Sequence, residues 1–260
     1  MRLYLINLGR RPDRLAAMTA QAAPLGLALD RIDAVDAAAA EPGTVDGWFA
    51  AGGPLGVIPR GDKCCLLSHR RAWEAFLATG QPHAVFLEDD VVLSPGAGAL
   101  LTHDCWIPAG IDVVKLEHYG PPGQRVLLAD MRRIGEDFAM GRMLSRHTGA
   151  AAYILSRGAA QALLAQTRFD LPVDHLLFNP NNSSLFAALS PWQLVPAIAR
   201  QQEFVGAPSD IEATRVGLRK LDVTYIKREL VRFAYDLRLI PRQLWALARG
   251  AKFVAVKTAG

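Results

Sequence analysis

Residues 83–91 have the sequence His-Ala-Val-Phe-Leu-Glu-Asp-Asp-Val, in which an apolar run ends abruptly in three acids before an apolar residue returns. The run follows a Gly-Gln-Pro break at 80–82, and its short length is typical of a buried strand. In open α/β sheets, ligands bind beyond the carboxyl ends of the strands, where Glu88, Asp89 and Asp90 would lie. This segment therefore predicts a central strand with a ligand site at its end.

Other short apolar segments predict further strands, and helical periodicity separates them. The predicted strands are 2–8, 31–35, 111–116 and 150–155, and the predicted helices begin after Pro12 and span 66–77 and 157–166. Strands that alternate with helices are typical of an α/β fold with a central, largely parallel sheet. Residues 37–60 are rich in Ala, Gly and Pro, so we expect a mobile loop there.

The charge of the chain is unevenly distributed. Its 260 residues carry a net charge of +4, yet residues 215–257 alone contain eleven Lys or Arg against three acids. The length and this asymmetry predict one α/β domain, 1–214, followed by a basic helical region, 215–260. Because the basic character is confined to the end of the chain, nucleic acid is not an expected partner.

The basic region has the pattern of an amphipathic helix that ends at Pro241. Its apolar face is formed by residues three and four apart, namely Val223, Ile226, Leu230, Phe233, Leu237 and Ile240. Its other faces carry Lys227, Arg228, Arg232 and Arg238. We expect the apolar face to dock on the α/β domain and the basic face to meet an anionic membrane surface. Helix pairing in a homodimer is the competing interpretation.

The start of the sequence lacks the pattern of an export signal, and no apolar run approaches the roughly 20 residues needed to cross a bilayer. We therefore expect a cytoplasmic protein that is peripheral at the inner face of the membrane. Cys64, Cys65 and Cys105 lack the spacing of a metal site or a redox motif, so reduced, partly buried thiols are expected.

The three adjacent acids predict a metal site. Like charges at this spacing repel unless a cation neutralises them, and Mn²⁺ or Mg²⁺ prefers oxygen ligands. In a strand, Glu88 and Asp90 point to one side and Asp89 to the other, so Asp90 and Glu88 are the predicted ligands. Such a metal keeps open positions for the phosphate oxygens of a nucleotide. The alternative is a solvated turn that caps a helix near Ser94 and Pro95.

Four blocks of sequence together resemble glycosyltransferase family 25, the lipooligosaccharide galactosyltransferase group. They are 6–8 with Arg10, Arg11, Asp13 and Arg14; 63–69 with Trp73; 85–93; and 149–157 followed by 172–174. Their order and approximate spacing match the family from residue 2 to about residue 178, and a basic C-terminal region is also familiar there. One departure is Gly149-Ala150, where the family has Gly-Thr, which puts a hydroxyl contact at that point in doubt.

The resemblance implies a GT-A-like, Rossmann-related nucleotide-binding fold and a UDP-sugar donor. It also implies that the acidic motif holds the metal and that a hexose is transferred with inversion. Galactose is preferred by family frequency, and the implied acceptor is a lipopolysaccharide, a lipooligosaccharide or another glycan. The rival functions are a metal-dependent phosphohydrolase and a noncatalytic nucleotide-sugar-binding protein. The six histidines lack the spacing of a two-metal hydrolase, which argues against the first rival.

Inversion by direct displacement requires a base that takes the proton of the acceptor hydroxyl. Asp174, which follows a Pro-Val pair, is the leading candidate, and Glu117, at the end of a predicted strand, is the alternative. The competing roles are structural. Asp174 would cap a helix at its N-terminus, and Glu117 would form an ion pair with Lys115 or a nearby arginine, of little energetic consequence.

The expected donor-binding residues lie in three of the blocks. They are Asn7, Arg10, Arg11 and Arg14 after the first strand, Ser68 and His69 near the predicted start of a helix, and Glu88 and Asp89 in the acidic triplet. Arginine grips phosphate in a bidentate fork, and the N-terminus of a helix offers free backbone N–H groups. For His69 and the arginines the competing roles are a structural hydrogen bond and surface solvation. Trp73 is expected in the core.

Overall fold

The computed structural model describes residues 1–121, 123–202 and 223–259, with the backbone alone for 223–234 and 236. It confirms the predicted α/β fold. The described helices are α1 (Pro12–Ala22), α2 (Pro42–Asp46), α3 (Arg60–Leu77), α4 (Ala97–Leu101), α5 (Arg157–Leu164), α6 (Val173–Phe178), α7 (Phe186–Leu189) and α8 (Val223–Ala248). The described strands are β1 (Arg2–Asn7), β2 (Leu29–Asp33), β3 (His83–Glu88), β4 (Val91–Leu93), β5 (Val113–Lys115), β6 (Glu117–His118), β7 (Arg125–Ile134), β8 (Phe138–Met143), β9 (Ala152–Ser156), β10 (Trp192–Val195), β11 (Ala199–Gln201) and β12 (Lys252–Ala255).

The described strands form two sheets. A nine-stranded sheet has the order β12-β7-β8-β10-β5-β9-β3-β1-β2, and β4, β11 and β6 form a small second sheet. In the large sheet, β1, β2, β3, β5, β7 and β10 run in one direction, and β8, β9 and β12 run in the other. The predicted predominance of one direction therefore holds, although the sheet is mixed because β9 lies antiparallel between β3 and β5.

The centre of the large sheet is buried on both faces. On one face the rings of Tyr4, Phe86 and Tyr153 stack across β1, β3 and β9, with centroids 5.7 and 5.2 Å apart. Helix α3 covers this face with Trp73 and Phe76, both fully buried. Burial on both faces explains why these segments are continuously apolar rather than alternating. The parallel strands β1 and β3 end at the same edge, where the acidic triplet lies.

Helix α3 begins six residues before the predicted start at 66. Pro59 precedes its first residue, Arg60, and Asp62 lies in its first turn, where a negative charge favours the helix dipole. The same region contains the short helix α2, so residues 37–60 are not entirely loop. Ser68 and His69 consequently lie in the middle of α3. Their backbone N–H groups are used within the helix, so the predicted contact through a free helix N-terminus is wrong.

The predicted helix end at Pro241 is also wrong. Helix α8 continues through Pro241 to Ala248, and the chain then turns at Gly250, whose φ of +95° is readily adopted by glycine. A proline removes one backbone hydrogen bond, which a long helix tolerates when the residues on both sides remain helical. Strand β12 follows and pairs antiparallel with β7, which the sequence analysis did not predict. The proposed boundary at 214/215 lies outside the described residues.

Part of the predicted apolar face of α8 is exposed. Leu237 and Ile240 are 46% and 43% exposed, so they do not dock on the α/β domain as expected. The side chains of the same face from Val223 to Phe233 lie outside the described residues. Among the described helices, none combines the length and the apolar character that a bilayer crossing requires. The three cysteines are free thiols, as predicted.

Candidate active site at the carboxyl ends of the central strands

A cavity of about 320 Å³ lies at the carboxyl ends of β1, β2 and β3, beside the first turns of α3. It is lined by residues from four segments of the chain, namely Ile6, Leu8, Arg10, Arg14, 34–38, Arg60, Gly61, Cys64, Cys65, Ser68 and 88–90. The three acids therefore face a crevice and not open solvent. They do not cap a helix, because α4 begins at Ala97 without a side-chain cap. The alternative of a solvated capping turn is thus wrong.

Asp89 is held apart from the other two acids. It accepts hydrogen bonds from Asn7 Nδ2 at 2.8 Å and from Arg14 Nη1 at 3.0 Å, and its exposed fraction is only 7%. Asn7 in turn accepts from Arg31 Nε at 2.9 Å. These contacts neutralise the Asp89 carboxylate and fix Arg14 at the cavity. Asp89 therefore orders the site through Asn7 and Arg14, and Glu88 and Asp90 do not share these contacts.

Glu88 ends a chain of buried hydrogen bonds that runs back into the core. Trp73 Nε1 donates to Tyr153 Oη at 2.9 Å, Tyr153 Oη lies 2.8 Å from His69 Nδ1, and His69 Nε2 lies 3.1 Å from Glu88 Oε1. Because the tyrosine hydroxyl has one proton and already accepts from Trp73, it donates to Nδ1, and Nε2–H of the neutral imidazole donates to Glu88. Burial keeps His69 neutral by lowering its pKa to about 3. His69 therefore acts as the hydrogen-bond partner of Glu88.

The pKa of Glu88 is raised to about 7, first by burial and then by the negative charges of Asp89 and Asp174. The pKa of Asp90 is also raised, first by burial and then by Glu88, while the positive charge of Arg14 opposes the shift. The raised pKa values mean that Glu88 and Asp90 resist ionisation. The positive charge around them is too small to stabilise both carboxyl groups as anions. A cation at this point would supply it.

A divalent metal fits the donor atoms of the described residues. Asp90 Oδ1 is buried and has no hydrogen-bond partner among them, which leaves it available as a ligand. Glu88 lines the same cavity and offers a second carboxylate, so the pair Asp90 and Glu88 stays a prediction. Cys65 Sγ and His69 also lie close to Glu88, with the three donor atoms within 4.8 Å of one another. Carboxylate oxygens favour a hard ion, and burial raises the pKa of the Cys65 thiol, which keeps its sulfur protonated. The two acids are therefore the better ligands for Mn²⁺ or Mg²⁺.

The alternative base, Glu117, is completely buried. Its Oε1 lies 2.7 Å from Lys115 Nζ and 2.9 Å from the backbone N of Ala151, so the ion pair expected as its structural role is present. The expectation that this pair matters little is wrong, because both side chains are 0% exposed and neither is solvated. Glu117 Oε2 is buried without a partner among the described residues. This burial argues against contact with an incoming hydroxyl group.

Asp174 lies in the first turn of α6, after Pro172 at the N-cap position. Its side chain makes no N-cap hydrogen bond, so the capping role is wrong. Its Oδ2 accepts from the backbone N of Gly149 at 3.5 Å, and its side chain is 23% exposed. Gly149 has a φ of +88°, and a Cβ there would come within 2.7 Å of Tyr119. The Gly149 turn thus places a backbone donor beside Asp174.

The arginines after β1 differ in their positions. Arg10 and Arg14 line the cavity, and Arg10 Nε bonds Asp36 Oδ2 at 2.9 Å. Arg11 instead forms an ion pair with Asp13 at 2.8 Å and is not part of the cavity lining. The structure therefore brings together two of the three arginines that the sequence indicated.

Sequence reasoning missed several residues of the cavity. Arg60 lines it and donates to the backbone oxygens of Ala37 and Ala40, which orders the segment treated as loop. Ser68, which the sequence did indicate, also lines the cavity. Its hydroxyl accepts from Val35 N at 2.8 Å and donates to Cys64 O at 2.7 Å. Arg60, Cys64 and Ser68 are four residues apart, and residues at this spacing share one face of a helix. This spacing was the pattern in the sequence that could have indicated that they line one cavity.

The profile of glycosyltransferase family 25 (LPS biosynthesis protein) matches residues 1–177. The chain belongs to glycosyltransferase family 25. This family 25 chain is similar to the lacto-N-neotetraose biosynthesis glycosyltransferase LgtB of Neisseria gonorrhoeae, with 33% identity over 159 residues, 54% of this chain and 53% of the relative. It is also similar to the lipooligosaccharide biosynthesis protein lex-1 of Haemophilus influenzae, with 28% identity over 138 residues, 47% of this chain and 44% of the relative.

The family 25 chain spans about half the length of these curated relatives. A solved structure, the crystal structure of a glycosyltransferase involved in the glycosylation of the major capsid of PBCV-1, aligns with 83% of this chain and 98% of its own. The TM-score is 0.37 and the identity 9%, a likeness too distant to support an argument. The matched region, 1–177, includes β1, α3, the acidic triplet and Asp174.

Proposed function

We propose that this chain transfers a hexose, by preference galactose, from a UDP-sugar to a lipooligosaccharide or related glycan, with inversion and with the help of Mn²⁺ or Mg²⁺. The observation that carries the proposal is the buried, unpartnered Oδ1 of Asp90 beside Glu88, in a crevice lined by Arg10 and Arg14. Family membership and the biosynthetic roles for which the relatives are named support the reaction class and the acceptor class.

In the proposed reaction the donor occupies the cavity. Arg10 and Arg14 lie where guanidinium groups would hold phosphate oxygens, and Arg14 is already ordered by Asp89. Asp90 and Glu88 would hold the metal, which stabilises the charge of a leaving diphosphate. His69 orients the Glu88 carboxylate through its Nε2–H. These residues orient the donor and balance its charge.

Asp174 is the proposed base for the acceptor hydroxyl. It remains partly exposed, and its charge is one of those that raise the pKa of Glu88, so it lies near the metal site. Glu117 is fully buried and paired with Lys115. A base must come within hydrogen-bond reach of its proton, and only a partly exposed group meets an incoming substrate without rearrangement of the core.

The test is turnover of UDP-galactose with a lipooligosaccharide acceptor, measured as acceptor-dependent UDP release and as glycosylated product by mass spectrometry. Asp90→Asn or chelation with EDTA should abolish turnover, and Mn²⁺ should restore activity only to the chelated wild type. Asp137→Asn, on an exposed turn, is the matched control and should retain activity. Turnover that survives both Asp90→Asn and chelation would rule out the metal site. Release of inorganic phosphate without a glycosylated product would favour the phosphohydrolase.

The proposal includes peripheral attachment to an anionic membrane through α8. Leu237, Ile240 and Leu244 are spaced three and four residues apart and are 46%, 43% and 60% exposed. Each residue turns a helix by about 100°, so this face lies opposite Arg242 and Ala246, which face a cavity of the protein. An exposed apolar face beside basic side chains is typical of a helix that lies in a membrane interface.

A further inference from the structure

A second cavity, of about 1160 Å³, lies between α8, the β7–β8 hairpin and the segment after α6. We call it the α8 groove. Strand β7 contributes Asp130 and strand β8 contributes Arg142. Residues 180–190 contribute another side, and α8 contributes Arg242 and Trp245. Gln243 Nε2 of α8 donates to Leu144 O at 3.2 Å, which ties the helix to the sheet beside the groove. The groove is therefore bounded by ordered elements on three sides.

The charge of the groove suits an anion. Its lining contains three arginines and one acid. Arg142 pairs with Asp130 at 2.7 Å, and the guanidinium of Arg249 lies 3.8 Å from the centroid of the Trp245 ring. Arg242 is exposed and forms no ion pair with any described residue. Two positive charges in excess, one of them unpaired, favour phosphate or carboxylate groups.

The rest of the lining suits a sugar chain. Trp245 is 60% exposed, and Ser184 and Ser190 add hydroxyl groups to the same lining. A pyranose ring has apolar C–H faces and a polar rim of hydroxyl groups, so it is complementary to an indole flanked by hydroxyl groups and guanidinium groups. A purely apolar ligand would leave these polar groups without partners.

The groove is connected to the proposed base. Helix α6 carries Asp174 in its first turn, and Pro180 of the groove follows the same helix. Six residues separate the two positions, which limits their distance to about 20 Å even for an extended chain. An oligosaccharide of a few residues spans that length. The apolar face of α8, at Leu237, Ile240 and Leu244, points away from the groove, so a membrane-anchored acceptor would approach along this helix.

We propose that the α8 groove binds the anionic sugar chain of the acceptor, with Arg242 on a phosphate or carboxylate group and Trp245 against a sugar ring. This inference rests on the proposed function, since it assigns the acceptor of that reaction to the α8 groove. The ligand class is an oligosaccharide that carries negative charge, and the lipid portion lies outside the groove.

The experiment is titration calorimetry of the full chain with core oligosaccharide released from lipooligosaccharide by mild acid, before and after phosphatase treatment. Arg242→Ala and Trp245→Ala should each weaken binding by roughly tenfold, as expected for the loss of one charge-assisted or aromatic contact. Phosphatase treatment should weaken binding to the wild type and have little further effect on Arg242→Ala. Arg133→Ala, an exposed arginine on β7 outside the groove, is the matched control and should bind as the wild type does.

The outcomes separate this inference from the proposed function. Acceptor-independent hydrolysis of UDP-galactose should persist in both groove variants and disappear in Asp90→Asn. Equal oligosaccharide affinity in the wild type and the groove variants would overturn the groove assignment while leaving the donor site intact. Absence of binding to the wild type, or displacement of the oligosaccharide by lipid vesicles without sugar, would overturn it as well. Absence of both donor hydrolysis and acceptor-dependent UDP release in the wild type would instead overturn the proposed function.

Discussion

At the scale of single residues, the Lys115–Glu117 pair makes the sharpest stability prediction. Lys115→Met removes the positive charge and leaves Glu117 buried, so we expect a loss of about 3–5 kcal/mol in the free energy of unfolding. The double variant Lys115→Met, Glu117→Gln should recover most of that loss, since the glutamine oxygen still accepts from Ala151 N. Urea unfolding followed by circular dichroism measures both values. A single variant that loses under about 1 kcal/mol would show that the pair is solvated.

Asp174 makes the corresponding prediction for activity. Asp174→Asn keeps the size of the side chain and its hydrogen bond from Gly149 N but removes the base, so kcat should fall by roughly 10²–10⁴-fold. The KM for the UDP-sugar should change little, because Asp174 does not line the donor cavity. Steady-state kinetics with varied donor measure both constants. Asp170→Asn, an exposed acid on the same segment, is the control, and an equal loss there would remove the case for Asp174.

The site residues were predictable from sequence where several charged side chains occur in a few consecutive positions. Glu88, Asp89 and Asp90 end an apolar strand, and the period-two geometry of a strand predicted that Asp89 would point away from the other two. Asp89 does have separate partners, Asn7 and Arg14. The partners themselves were not predictable. Arg14 reaches Asp89 across 75 positions, and Tyr153 reaches His69 across 84, so these contacts depend on the pairing of β1, β3 and β9.

At the scale of elements, the exposed face of α8 leads to a prediction about membranes. The triple variant Leu237→Ser, Ile240→Ser, Leu244→Ser should bind phosphatidylglycerol vesicles at least about tenfold more weakly, because burial of each apolar side chain contributes up to roughly 1.5–3 kcal/mol. Cosedimentation measures the partition. Phe253→Ser, which changes an exposed apolar residue on β12, serves as the control. Unchanged vesicle binding by the triple variant together with a shift from dimer to monomer would favour the homodimer interpretation.

The elements that the sequence predicted are those whose pattern lies within one short stretch of the chain. Strands β1, β3 and β9 and helix α5 were predicted because apolar runs and helical periodicity are properties of neighbouring residues. Strand β12 was missed because its pairing partner β7 lies more than 120 residues away, and an edge strand of four residues has little signal of its own. Pro241 was wrongly interpreted as a helix end because a proline usually breaks a helix, whereas α8 stays helical on both sides of it and Gln243 ties the part after it to Leu144 O.

At the scale of the whole molecule, buried histidines lower the free energy of unfolding in acid, and His147 is the most informative because it is not one of the proposed metal ligands or their partners. It is 0% exposed between Gln193 Oε1, 2.8 Å from Nδ1, and the backbone N of Tyr119, 3.2 Å from Nε2. Gln193 Nε2 donates to backbone oxygens, so Gln193 Oε1 accepts from His147 Nδ1–H. In the neutral imidazole Nε2 then accepts from Tyr119 N, and its 3.0 Å contact with Tyr119 O carries no proton. Burial, followed by the charge of Lys115, lowers the pKa of His147 to about 3 from its ordinary value of 6.5.

This shift sets the sign of a pH effect. Below pH 6.5 the unfolded chain binds a proton at His147 and the folded chain does not, so its contribution to stability is fully present above pH 6.5 and is lost as the pH falls toward 3. The raised pKa values of Glu88 and Asp90 make the folded chain more stable as the pH falls, which opposes the effect of His147. The contribution of His147 is therefore measured as the difference between the wild type and a His147 variant. His147→Gln should reduce the slope of unfolding free energy against pH between pH 4 and 6 by about 1.4 kcal/mol per unit. Urea unfolding across that range measures the slope, and His103→Gln, an exposed histidine, should leave it unchanged. Equal slopes for His147→Gln and the wild type would mean that the imidazole takes up its proton without unfolding, because water reaches the region between β6 and β10.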